Sequence, residues 1–557
     1  MSVEHDLTPA REALQAKDYE TAESIAKSVL ENNPKAHKAY HILSLSAREQ
    51  NDWQRAESAI QSALEIAPAD PETLNSYGNL LSMTMRGKAA RQHYARALED
   101  APNYLPPALA LGQLLLREKD PVEAIEVFRS ALQHNPKHPG LMMGLFYALK
   151  EAEQIEAAQA LLQQLPPSPD LFLARGQLAD LLDQKPIAET NYIQGLGHGP
   201  IAGQSFRHLV ELTARYDDGD AAASRMEKII KTAPDQGGFY LSAADILSDM
   251  GKLHDAMEML DRCVKKFGNQ PEISSLRAKL LILSGDGAAA FEIAEAVLKE
   301  RKGDLAVMSL FTKAALMTER FDLALQASKA AQIRQRYNQF WIGTEAIALR
   351  GLGQAEDYKA LYNYDNVQIV TLETPPEYDV QSDFLVALKE ACLERLEKGQ
   401  STISGPLKGG LRTRRDLRFA QSRVLQDYFQ ALGRPLNAYI NGVSKVEDSR
   451  LSSRKSEGYR LSEVWSDKLS TQDYYENHVQ PSAWLNSLFC IDVDETPRAI
   501  KFGAPPFKVP KIESDFQIEL KAGELAIYPS YMWWAMPSID TLSESSSLWL
   551  TSLIVPS

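Results

Sequence analysis

Apolar residues in the first 330 positions recur at helical spacing, and a small residue returns among them at a constant interval. Alanine stands at 22, 56, 90 and 124, each 34 residues after the last, and proline follows twelve positions later at 34, 68, 102 and 136. Between these marks the pairs Ile60 and Ala63, Tyr94 and Ala97, and Phe128 and Ala131 keep a helix-type step. Gly78 and Gly112 fall twelve residues before Ala90 and Ala124. A small residue at a fixed point lets two antiparallel helices approach closely, because side-chain bulk sets the interaxial distance. Proline cannot continue a helix interior, so it marks the turn into the next unit. Ala158 continues the series, which then slips by a step of 30 to Ala188 with Pro200. The interval of 34 resumes at Ala222 (with Pro234), Ala256, Ala290 and Ala324. This predicts about ten helix pairs across residues 5–360, the later ones degenerate, stacked into an α-superhelix by nearest-neighbour packing.

The pattern changes after residue 364. The run "VQIVTL" alternates and is β-branched, and Pro375-Pro376 stops any helix. Residues 381–399 read as an amphipathic helix with Leu385, Leu388 and Cys392 on one face. The glycine-rich basic segment "SGPLKGGLRTRRDLR" leads into a second helix, "FAQSRVLQDYFQALGRPLNAYI". From Tyr459 onward the text is short β-branched and aromatic runs separated by Pro, Gly, Asp or Ser, the signature of a sandwich or jelly-roll barrel. The expected organisation is α+β and multidomain: helical array 1–364, linker 365–380, and a β-rich domain 381–557 with a helical lead-in.

Composition narrows the function classes. The 557 residues are 44% hydrophobic and 24% charged, as in a folded soluble protein, and the net charge of -14 argues against a nucleic-acid partner. The first residues, "MSVEHDLTPA", do not read as a signal peptide, and no uncharged apolar run reaches the roughly 18–20 residues needed to span a bilayer. Cys263, Cys392 and Cys490 are far apart and lack metal-type spacing. A reduced, cytoplasmic location without a membrane partner is expected.

The 34-residue unit resembles the tetratricopeptide (TPR) repeat, which implies a scaffold holding a protein or peptide in its concave face. Asn75 and Asn79 are candidates to line that groove. His37 with His41, and His134 with His138, stand at a zinc-compatible spacing but lack a third ligand, so they read as surface or groove histidines. Lys408, Arg412, Arg414, Arg415 and Arg418 form the densest basic run, suited to an acidic peptide or phosphate, or to salt bridges with neighbouring carboxylates.

The segment 366–557 resembles the C-terminal domain of bacterial TPR-linked 2-oxoglutarate/Fe(II)-dependent oxygenases. The resemblance rests on "PLKGGLRT", Trp465 in "EVWSDKLS", "NHVQPSAWLNSLF", "IKFGAPPF", "KAGELAIYPSYMWW" and a closing apolar strand. It implies a double-stranded β-helix (jelly roll), with iron held by a histidine, a second histidine or acidic residue two positions on, and a histidine after "PSxxW". An arginine near the end would bind 2-oxoglutarate. At these positions the chain has His478, Gln480, Trp534 and Ser547. His478 is the only histidine beyond His254. A facial iron site needs two imidazoles and a carboxylate or a close variant, whereas glutamine offers a weak neutral donor and an indole no lone pair.

The expectation is therefore a protein- or peptide-binding protein whose oxygenase-like domain has lost its metal and needs no cofactor. It would act as a scaffold or as the partner of an active oxygenase relative. The alternative is an active dioxygenase that hydroxylates a peptide or protein with Fe(II) and 2-oxoglutarate at an unorthodox site. Around His478, Glu476, Asp492 and Asp494 are its candidate replacement ligands, and Lys501 or Lys521 would replace the arginine. No Walker-type loop or zinc cluster is present, and Ser530 has no evident base.

Overall fold

The computed structural model describes residues 7–396, 405–443, 450–456, 458–494, 496–539 and 545–556. Its first part is a run of 22 helices, from Thr8–Gln15 to Ala355–Leu361, forming eleven hairpins. Every alanine of the periodic series, from Ala22 to Ala324, is fully buried. It lies in the first turn of the second helix of its hairpin, where a small residue permits close helix packing. Pro34, Pro68, Pro102 and Pro136 sit in the turns between hairpins. Pro200 instead lies in the first turn of the helix Gly199–Tyr216.

Two further periodic marks explain the turns. Asp18, Asp52, Asp120, Asp218 and Asp286 each cap a second helix by accepting a backbone N–H from its first turn. One residue of nearly every intra-hairpin turn is left-handed, as at Lys17, Asn51, Met85, Lys119, Glu153 and Asp183 (φ 56–62°), and glycine takes that place at 251, 285 and 353.

Among the described residues the array has eleven hairpins where the alanine count predicts about ten. The eleventh falls on phase at position 358, but a buried tyrosine stands there instead of alanine. The step of 30 arises in the fifth hairpin, whose second helix, Ile155–Gln164, has ten residues against 14 in Trp53–Ile66. The chain divides there into two compact units, residues 1–166 with 333–336, and residues 167–332 with 337–557. Hairpins six to eleven fall in the same compact unit as the β-rich segment. The expected linker 365–380 contributes to the sheet. Its strand β1 (Gln368–Thr371) pairs antiparallel with β9 (Glu524–Pro529), which uses the β-branched alternation of "VQIVT" for sheet edge.

Between them lie β2 (Leu407–Lys408), β3 (Leu411–Arg412), β4 (Tyr459–Ser470), β5 (Tyr474–His478), β6 (Leu485–Val493), β7 (Ala499–Phe502) and β8 (Phe516–Glu519). β10 (Trp534–Met536) and β11 (Ser546–Pro556) follow. They form a six-stranded sheet ordered β1-β9-β6-β11-β4-β3 and a five-stranded sheet ordered β2-β5-β10-β7-β8. All pairings are antiparallel. Successive side chains alternate between faces. One face of the larger sheet packs on the helices Gln381–Leu396 and Arg423–Gly442, where Tyr428 lies 5.4 Å from the Phe489 ring. From the other face Asp467 and Tyr528 meet Tyr475, Phe502 and Trp534 of the smaller sheet. Among the described residues no helix is long and apolar enough to cross a membrane.

Candidate functional site

His478 ends β5, and Trp534 of β10 is its direct cross-strand partner, with ring centroids 4.4 Å apart. The Tyr475 ring stacks on the imidazole at 5.4 Å. Nδ1 lies 2.8 Å from the Glu476 carbonyl. A carbonyl only accepts, so Nδ1 carries the hydrogen and Nε2 keeps the lone pair. Nε2 is buried with no hydrogen-bond partner, as is the indole Nε1 of Trp534. Burial, opposed by the Glu476 carbonyl, pushes the His478 pKa down to about 4, so the ring is neutral near pH 7. Gln480 lies in the turn beyond, where its backbone N–H donates to the Ser530 carbonyl at 3.3 Å.

The candidate replacement ligands do not converge on this lone pair. Glu476 faces Lys408 at 3.7 Å. Asp492 pairs with Lys389 at 2.5 Å and stands opposite Leu548 in the six-stranded sheet, while His478 belongs to the other sheet. Asp494 accepts the backbone N–H of Ser546. Among the described residues no three His, Cys, Asp or Glu side chains are grouped to hold a metal ion. The residues present therefore do not fit a facial iron site.

Ser547 is buried on β11 and accepts hydrogen bonds from Arg498 Nε at 3.0 Å and Trp549 Nε1 at 2.8 Å. An arginine does stand beside this position, but it enters from just before β7. Arg498 is 1% exposed. Its Nη1 donates to the carbonyls of Asp473 (2.8 Å) and Pro537 (3.2 Å), and its Nη2 to that of Ser470. Sequence reading passed over Arg498 in favour of Lys501 and Lys521, both of which are exposed. The available signal was that Arg498 is the only arginine after Arg460.

The basic run is dispersed among carboxylates, as the salt-bridge reading expects. Arg412 Nε reaches the fully buried Asp467 at 2.8 Å, and Asp467 also accepts from Trp465 Nε1 at 2.7 Å and from the Tyr475 hydroxyl. Arg418 pairs with Asp416 at 2.8 Å, and Arg414 contacts Asp180 and Asp183.

In the first unit the two groove asparagines differ. Asn79 accepts from the Tyr94 hydroxyl of its own hairpin at 2.7 Å. Asn75 is buried, and its Oδ1 has no partner. Beside it His41 Nε2 lies 2.8 Å from Ser76 Oγ, and Lys38 bridges Asp70 (2.9 Å) and Glu72 (2.6 Å). His138 spends its Nδ1 on the backbone N–H of Leu141, as a helix cap.

In the second unit ion pairs run across the first helices of successive hairpins. Arg207 contacts Asp249 at 3.4 Å, and Lys279 contacts Asp245 at 2.6 Å and Asp249 at 3.4 Å. Lys313 lies one repeat beyond Lys279. Its Nζ stands 5.2 Å from the Phe340 ring centre, and no carboxylate among the described residues pairs with it. Burial, reinforced by the Lys279 charge, lowers its pKa.

Two family profiles described as tetratricopeptide repeat match the chain, one over residues 115–177 and 215–280 and one over 7–71 and 86–139. Protein FlbA of Caulobacter vibrioides is 28% identical over 131 residues, 24% of this chain and 22% of FlbA, so the match spans about a fifth of that relative. Pseudomonas aeruginosa PilF aligns at 21% identity and a TM-score of 0.32, covering 37% of this chain and 96% of PilF. Yeast Tom70 aligns at 13% identity and a TM-score of 0.34, covering 64% of this chain and 95% of Tom70. The helical array is built of tetratricopeptide repeats.

Proposed function

We propose that this tetratricopeptide-repeat chain is a protein-binding scaffold whose later hairpins hold a segment bearing carboxylates. The observation that carries this reading is Lys313. A partly buried ammonium without a counter-ion is costly, and the row it belongs to is otherwise paired. An acidic side chain or chain end placed there would supply the missing charge, with the Phe340 ring as its apolar neighbour.

Selection of displayed random peptides on the immobilised full-length protein tests the reading. Enrichment of Asp- and Glu-containing peptides that Lys313→Glu abolishes is expected. Enrichment independent of Lys313, or none, overturns it.

The β-rich segment, in this proposal, is an oxygenase-type double-stranded β-helix in which an indole fills the metal's place. Two antiparallel sheets in contact, the retained His478 and the arginine beside Ser547 support the likeness. Trp534 against the imidazole, and carboxylates turned to lysines and backbone, support the loss of iron. The dioxygenase alternative keeps one donor, the Nε2 lone pair.

A further inference from the structure

We infer that Arg414 and Arg415 form an electrostatic clasp, closing hairpins six to eleven into a ring on the β-rich segment and opening to admit a ligand to the first helices. The admission part rests on the binding function proposed above; the closure does not.

Among the described residues the β-rich segment touches the hairpins at two places of different chemistry. Toward the end of the array the contact has an apolar core, edged by polar contacts such as Arg350 Nη1 with the Glu513 carbonyl at 2.8 Å and with Asp515 at 3.5 Å. Phe507, Val509, Ile512 and Trp533 share one buried cluster with residues of hairpins nine to eleven, including Phe291, Phe311 and Ala348. The backbone joins in, with Gln339 N–H donating to the Pro481 carbonyl at 2.9 Å. A Cβ on Gly343 would lie 2.8 Å from the Tyr531 carbonyl, so the two chains approach as closely as glycine allows. That contact is a durable anchor, because apolar burial is insensitive to charge screening.

At hairpin six the contact is polar. Arg414 Nη2 donates to the Asp180 carbonyl at 2.7 Å and to its carboxylate at 3.1 Å, while Nη1 reaches Asp183. Arg415 Nη2 donates to the Leu181 carbonyl at 3.4 Å. These carbonyls end the helix Pro169–Leu181, where the backbone dipole favours cations. The buried apolar cluster of hairpins six to nine contains no residue from the β-rich segment. Asp180 is shared with Arg215 of hairpin seven, so its charge remains paired if Arg414 leaves.

Consecutive hairpins joined at one end by apolar packing and at the other by charge make a ring with one openable seam. Screening shortens charge interactions to about 3 Å at 1 M salt, so the seam should respond to salt while the anchor does not.

The test is a distance measurement by pulsed electron spin resonance on the full chain, with spin labels at Gln184→Cys and Leu411→Cys. Both sites are exposed, and the native Cys263, Cys392 and Cys490 are buried. A single narrow distance distribution at 50 mM salt should spread to longer distances at ~1 M salt, and at low salt in the Arg414→Ala/Arg415→Ala variant. Arg434→Ala, which removes the exposed pair with Glu373 elsewhere, should leave it narrow. A distribution unchanged by loss of both arginines, in a variant whose thermal melt matches the parent, overturns the clasp. Opening observed without any peptide capture leaves the clasp standing and removes only the binding function. Capture without opening does the reverse.

Discussion

Trp534 faces His478 from the neighbouring antiparallel strand, with the indole and imidazole centroids 4.4 Å apart. The two rings belong to one aromatic layer with Tyr475 and Tyr528. Fe(II) added anaerobically should therefore remain below one equivalent after desalting, by elemental analysis, and His478→Ala should not change the amount. One equivalent of iron that is lost in His478→Ala would contradict this arrangement.

The same packing gives Trp534 a structural weight. Truncation to alanine removes a fully buried indole, and such changes typically cost about 3–5 kcal/mol. A fall of that size in the stability of Trp534→Ala is expected from urea unfolding.

Arg498 holds three carbonyls and one hydroxyl inside the sandwich. Arg498→Met takes the donor from the Asp473 and Pro537 carbonyls, whereas the Ser470 carbonyl keeps the Asp473 N–H and Ser547 keeps Trp549 Nε1, at about 1–3 kcal/mol for each group left unpaired that water cannot reach. The urea midpoint should drop by more than for the exposed Lys501→Met.

Gly112 and Phe128 show how the repeat tolerates bulk. A Cβ at Gly112 would meet the Phe128 ring, and at Gly78 the Tyr94 ring. Gly112→Ala, like Ala56→Leu in the second hairpin, should overpack its hairpin by about 1–3 kcal/mol, read as a lower melting temperature.

His41 is buried, and burial holds its pKa at about 4, with Lys38 and Arg11 opposing protonation and Glu72 and Asp70 favouring it. The unfolded chain binds a proton near pH 6.5 that the folded one refuses until about pH 4. Stability should be complete above pH 6.5 and decline as pH falls toward 4, by at most about 1.4 kcal/mol per pH unit from this group. The difference between parent and His41→Gln in urea unfolding, measured at steps across that window, isolates the effect. A pH-independent difference would show that His41 protonates equally in both states.

Much of the array was readable because its constraints are local. A small residue under a crossing, a proline in a turn and an apolar face each need only neighbours within one hairpin. The eleventh hairpin escaped because Tyr358 replaces the marker while keeping the burial. Position 478 was legible as a lone imidazole by counting, but Arg498 was not, since its partners Ser470, Asp473, Pro537 and Ser547 lie far off in the chain.

The sequence by itself determined the helical period, the strand-rich end and the single histidine beyond His254, because periodicity, turn chemistry and residue counts act at short range or need no geometry. Only the tertiary structure decided that the chain divides at hairpin five, that β1 joins the sheet, and that Arg414 meets Asp180 across 234 positions. Those outcomes depend on which distant surfaces come together. Nothing in a local pattern specifies that choice, because a charge or a strand edge can be satisfied by any complementary group the fold delivers.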